Sequence, residues 1–121
     1  MEKVIYKDLN NKANPNNPTL TNEYAVFQAL DNLLLTNIGE RLFLPEFGCK
    51  LEELLFQPID EITAFEIKHY IIEAVRRWEQ RVELISTEVI PKPDDNAYEI
   101  RLIFKIVGLE GEYKWERIIQ R

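Results

Sequence analysis

The chain has 121 residues, 45% of them hydrophobic, which is enough apolar material for one buried core. A formal net charge of -6 opposes a phosphate backbone, so nucleic-acid binding fits poorly. A single cysteine closes no intrachain disulfide, no stretch approaches the roughly 20 apolar residues that span a bilayer, and the start has no export-signal pattern, so a soluble, membrane-free protein is expected.

Residues 3–9 place Val4 and Tyr6 on one parity and Ile5 on the other, which reads as a short strand-like arm in need of a partner. The Asn-rich stretch that follows contains Pro15 and Pro18 and reads as a loop. Residues 1–22 are thus expected to be arm and tether, and residues 23–121 a single domain. A helix is expected from Thr21 or Asn22, with Val26, Phe27, Leu30, Leu33 and Leu34 on one face and a stop near Gly39. Residues 40–57 read as irregular backbone shaped by Pro45 and Gly48, closing in an apolar turn at Leu51, Leu54, Leu55 and Phe56.

A second helix is marked by Thr63 and Glu66 as a capping box, with Ile67, Tyr70, Ile71, Ala74, Val75 and Trp78 at helical spacing. Its outer face carries Lys68, His69, Glu73, Arg76 and Arg77. Beyond Arg81 the period changes to two. Strands are expected over 82–91, through Tyr98, Ile100, Leu102, Phe104 and Ile106, and over 112–119, with turns at Asp94, Asp95 and Asn96 and at Glu110 and Gly111. The expected class is α+β: two main helices on one face of an antiparallel three- to four-stranded sheet with an open edge that can accept a strand.

Catalytic chemistry finds little support. His69 has no second His or Cys with which to hold zinc, Cys49 reads as a small half-buried residue beside Gly48, and the four glycines are isolated turn residues. No catalytic residue, metal or cofactor is expected. Glycoside hydrolysis needs only two suitably separated carboxylates, and Glu40, Glu46 and Glu79 lie outside the amphipathic pattern, but Arg41 and Arg81 beside them make ion pairing the simpler account. Glu79 and Arg81 share a face if the backbone between them is extended, and do not if it is helical.

The run Gly39, Glu40, Arg41, Leu42, Phe43, Leu44, Pro45, Glu46, Phe47, Gly48, Cys49, followed by Leu51, Leu55, Phe56 and Thr63, resembles the hallmark segment of the baseplate wedge family of contractile phage tails, typified by the small wedge protein of T-even phages. Trp78, Glu79, Gln80 and Arg81 are similar to that family's helix-ending Glu-Pro-Arg motif, with Gln80 in place of the proline. Glutamine does not force a helix to stop, so the helix end is left open by this departure.

The resemblance implies a structural protein of the virion tail baseplate, assembled in the host bacterial cytoplasm, and not an enzyme. It implies contact of Trp78, Glu79, Gln80 and Arg81 with a core bundle of large wedge subunits, and a sheet that offers the tail sheath protein its first edge. Tail tube or hub proteins are further partners, in a sixfold assembly. Val4, Ile5 and Tyr6 with Tyr113, Trp115 and Arg117 are the strands expected to face the sheath. The family also implies two alternatives: the equivalent subunit of a type VI secretion or other phage-derived contractile system, and an acidic lysozyme. An unrelated two-layer binding domain is the remaining possibility.

Overall fold

The computed structural model describes residues 18–36, 47–49 and 51–120. Helix α1 runs Pro18–Leu34, α2 Leu51–Leu55 and α3 Glu61–Trp78; strands β1 (Val82–Lys92), β2 (Ala97–Ile106) and β3 (Tyr113–Gln120) form one antiparallel sheet in the order β1-β2-β3. This is the expected α+β arrangement. The arm at Val4, Ile5 and Tyr6 and the expected stop at Gly39 lie outside the described residues. Among those residues, no helix is long and apolar enough to cross a membrane.

Three local readings are corrected. Helix α1 begins at Pro18, earlier than Thr21, because proline has its φ preset for the first helical position and its missing N–H has no helical partner to lose there. The apolar turn at Leu51 is one full turn of helix, burying Leu51 and Leu54. The cap of α3 is Asp60 and not Thr63: the Asp60 carboxylate accepts from the Thr63 amide at 2.8 Å, and Thr63 is itself buried in the first turn. Asp60→Ala is therefore expected to cost about 1 kcal/mol, read as a shifted urea midpoint with unchanged slope.

The core lies between the helices and one face of the sheet. Val26, Phe27, Leu30, Leu33 and Leu34 of α1 and Ile67, Ile71, Ala74 and Val75 of α3 are buried as their spacing predicts; Tyr70 and Trp78 are only partly covered. Opposite them stand Tyr98, Ile100, Leu102, Phe104 and Ile106 of β2, each side chain of this size contributing roughly 1.5–3 kcal/mol on burial. Phe27 meets Phe104 at 5.6 Å and Tyr113 at 6.4 Å between ring centroids.

Polar bonds fix α1 along β3. The Tyr113 hydroxyl donates to buried Glu23 at 2.6 Å, and burial, with the Glu23 carboxylate beside it, pushes the phenol well above its ordinary value. The Trp115 indole donates to Asp31 at 2.9 Å, while Arg117 grips both oxygens of that carboxylate at 3.0 Å. In β1 the pairing slips between Leu84 and Ser86, leaving Ile85 as an extra residue. Val82 and Leu84 lie opposite core residues before the slip, Thr87 and Val89 after it, so the inward parity changes from even to odd.

The other face of the sheet carries charge. Arg101 on β2 reaches Glu99 at 2.8 Å, Glu116 at 3.1 Å and Glu88 at 3.8 Å, and Lys114 meets Glu116 at 2.9 Å. Lys114 foremost, with hydrogen bonds in the Glu99 and Arg101 cluster, pulls the Glu116 carboxyl from 4.5 down to about 2. A depressed carboxylate contributes stability that is present above its unfolded pKa and is lost as pH falls through the folded one. Stability is accordingly expected to fall between pH 4.5 and about 2. Glu116→Gln should remove part of that fall in denaturant titrations across this window.

Candidate functional site

Helix α3 ends at Trp78 although Gln80 cannot compel it to. Glu79 leaves helical geometry at φ -125 and ψ 82, while its amide still donates to the Val75 carbonyl. Its carboxylate turns inward and is almost fully buried, where it accepts two parallel bonds from the Arg81 guanidinium, Nε to Oε1 at 2.7 Å and Nη2 to Oε2 at 2.9 Å. The Arg81 amide adds a third, longer bond to the same carboxylate. Backbone bonds from Val82 to Glu79 and from Val107 to Arg81 tie this corner to the start of β1 and the end of β2. Glu79 and Arg81 thus share a face by neither of the expected routes: the backbone between them is a turn closed by the Val82 amide on the Glu79 carbonyl, and the pair is no loose surface contact, because its acid is buried and its base is half exposed. The bond to Glu79 raises the guanidinium pKa further, so Arg81 presents a permanent charge at the surface.

The corner also collects part of the hallmark segment. Phe47 packs edge-on against Trp78 with centroids 5.3 Å apart, and the Arg77 guanidinium lies 5.1 Å from the Trp78 ring centre on top of it. Gly48 follows at φ 123, a conformation that other residues rarely adopt, and buried Cys49 donates its amide to the Thr36 carbonyl near the end of α1. Cys49 is fully covered, more so than its sequence reading implied. A cavity of about 150 Å³ opens between Ala29, Asn32 and Leu33 of α1 and Phe47, Trp78 and Glu79. Two motifs far apart in sequence are thereby one surface. Gly39, Glu40, Arg41, Phe43, Pro45 and Glu46 fall outside the described residues.

The expected sheath-facing strand is placed less simply. Tyr113 and Trp115 point into the core and Arg117 is held by Asp31, so no partner meets the first two side chains; among the described residues β3 has no strand on its far side, and its outward residues are Lys114, Glu116 and Ile118. A feature not read from the sequence lies at the opposite edge. Between α3 and β1 runs a groove of about 390 Å³ lined by Glu61, Ala64, Phe65, Lys68 and residues 87–91. Ile62 and Phe65 beside it are 75% and 72% exposed. The available signal was that both residues fall off the buried stripe of α3.

Glu79, the described member of the three candidate catalytic carboxylates, is committed to Arg81. Among the described residues no group of three or more His, Cys, Asp or Glu is placed to hold a metal ion, and His69 stands exposed 3.6 Å from Glu73.

A family model described as baseplate wedge protein gp25 matches residues 21–109. The chain is 32% identical over 83 residues to the baseplate wedge protein gp25 of Enterobacteria phage T4, an alignment covering 69% of this chain and 63% of that protein, so the chain spans under two thirds of its relative's length. Among solved structures it is similar to a protein described as a "putative tail lysozyme" from Geobacter sulfurreducens, with TM-score 0.74 and 24% identity over 82% of this chain and 90% of that one. It is similar also to a chain of the baseplate complex of the type VI secretion system, with TM-score 0.63 and 15% identity over 84% and 96% of the two chains. A chain of the postcontracted pyocin R2 baseplate gives TM-score 0.57 and 26% identity over 73% and 85%. The first two structures, each under a quarter identical, speak to the fold alone.

Proposed function

The chain belongs to the gp25 family of baseplate wedge proteins, and on that premise we propose that it joins the wedge core of a contractile tail to the first ring of sheath. The observation that carries this reading is the corner at the end of α3. A buried carboxylate holds an arginine at the surface beside Trp78 and Phe47, and arginine with aromatic neighbours is the composition that dominates binding energy at protein interfaces. The large wedge subunits dock there, and an open edge of the sheet gives the tail sheath protein a strand to pair with, so that the first ring starts in register. Tube or hub proteins are neighbours in the same sixfold plate, which assembles in the host cytoplasm. The equivalent subunit of a type VI secretion apparatus would use the same two surfaces.

The protein acts as a structural part and not as a lysozyme. Glu79 is salt-bridged, and hydrolysis of a glycosidic bond would need it or another carboxylate free to take or give a proton. Purified protein is expected to release no fragments from peptidoglycan. Turnover that Glu79→Gln abolishes with the fold retained would instead establish the enzymatic reading.

The decisive experiment is immunogold electron microscopy of particles from the source organism, using antibody raised to the purified chain. Label at the plate end of contractile tails is expected. Label absent from every tail-like particle, with the antibody still binding native protein, would reject the assignment.

A further inference from the structure

A helix laid on one side of a sheet needs a single apolar stripe, and its solvent face is normally polar. Helix α3 departs from this. Its buried stripe runs through Ile67, Ile71 and Ala74, and roughly half a turn away a second line follows the outer face: Ile62, Phe65, His69, Ile72 and Arg76. The steps are three, four, three and four residues, the seam by which one helix packs along another, and the line extends over about 21 Å of α3. Ile62, Phe65 and His69 are largely exposed and Ile72 partly so, and none of them belongs to the protein's own core.

We propose that this outer face of α3 docks an amphipathic helix of another protein in the assembly, one with apolar residues at the same three-four spacing and a basic residue every seventh position along one flank. Ile62, Phe65 and Ile72 supply the apolar contact, while His69, polar in the middle of the seam, fixes the register. Charge selects the partner. Glu66 and Glu73, seven residues apart and both exposed, border the seam on one side, where Lys or Arg of the incoming helix would meet them. A second copy of this chain fits poorly in either orientation: Glu66 and Glu73 would meet their own equivalents in an antiparallel pair, and Glu61 would meet Glu66 in a parallel one. The surface is separate from the Glu79 corner and from the sheet edges, and the inference rests only on the chain being part of a multi-protein plate.

The test places the photoreactive residue p-benzoylphenylalanine at Phe65 in the full chain, irradiates assembled particles and maps adducts by mass spectrometry. Phe65 is largely solvent-exposed, so the core is kept. The expected adduct is to a segment of a different protein whose apolar residues recur every three or four positions, with Lys or Arg at seven-residue intervals. In parallel, Phe65→Ser and the double variant Glu66→Lys with Glu73→Lys should each cut recovery in purified plates about tenfold without lowering Tm. An adduct to a second copy, to residues 3–9 of the same chain or to a segment with apolar residues at alternate positions would overturn the proposal, as would no adduct at all or wild-type recovery of either variant. Wild-type protein missing from the plates would overturn the baseplate assignment itself, and the partner with it.

Discussion

Trp115→Ala is expected to lower the unfolding free energy by about 3–5 kcal/mol, the usual range for removing a fully buried large aromatic side chain. Trp115 is 0% exposed, contributes to the core between α1 and the sheet, and donates its indole N–H to Asp31. Small domains have about 5–15 kcal/mol in total, so the variant should melt far earlier and accumulate poorly in cells. Trp115→Phe keeps most of the ring and loses the hydrogen bond, while Asp31 retains the grip of Arg117. It should cost only about 1–2 kcal/mol, and urea unfolding of the two variants separates packing from hydrogen bonding. Substitution at Trp115 therefore reports on folding, and the edge of β3 is better probed at outward-facing Ile118.

Arg81→Ala is expected to act on assembly more than on folding. It leaves the Glu79 carboxylate buried without its charged partner, a loss of about 1.5–3 kcal/mol in stability, moderated because Arg81 is half exposed and water reaches the gap. The larger effect is on the proposed wedge contact, where truncating a central arginine typically costs 2 kcal/mol or more, about thirtyfold in affinity. The measurement is the amount of variant recovered in purified plates relative to wild type, with a thermal melt on the free protein. Arg81→Lys keeps the charge and loses the fork, so recovery of only a small part of the wild-type level would assign the contact to bidentate geometry rather than to charge. Recovery unchanged in both variants would remove this corner from the interface.

Regular elements were legible in the sequence wherever one face is buried. The stripe Val26, Phe27, Leu30, Leu33 and Leu34 and the alternation from Tyr98 to Ile106 each record a helix or strand half in and half out of the core. Element ends were less legible because local choices compete there. Thr63 and Asp60 are both good caps, and only the geometry shows that Asp60 accepts the bond. The pairing of Glu79 with Arg81 was readable as a spacing, but burial of its acid was not, since it depends on how Trp78 and Phe47 close over the corner. The groove on β1 was signalled only by Ile62 and Phe65 falling off the buried stripe of α3, and its shape could not be read. It arises from the distance between two elements, and a sequence pattern records what each element buries, not the gap left between them.

The extra residue at Ile85 sets a limit on how far a neighbouring chain can zip along β1. A straight strand would keep step with residues 86–92, a run of seven residues or about 23 Å, and then meet a one-residue slip at which donors, acceptors and side chains all fall out of phase. To continue, the guest would need a compensating kink of its own. The bulge would thus work as a vernier stop for any strand added there: it would limit the length of the paired run, and a strand displaced by one residue would find its inward side chains turned to water.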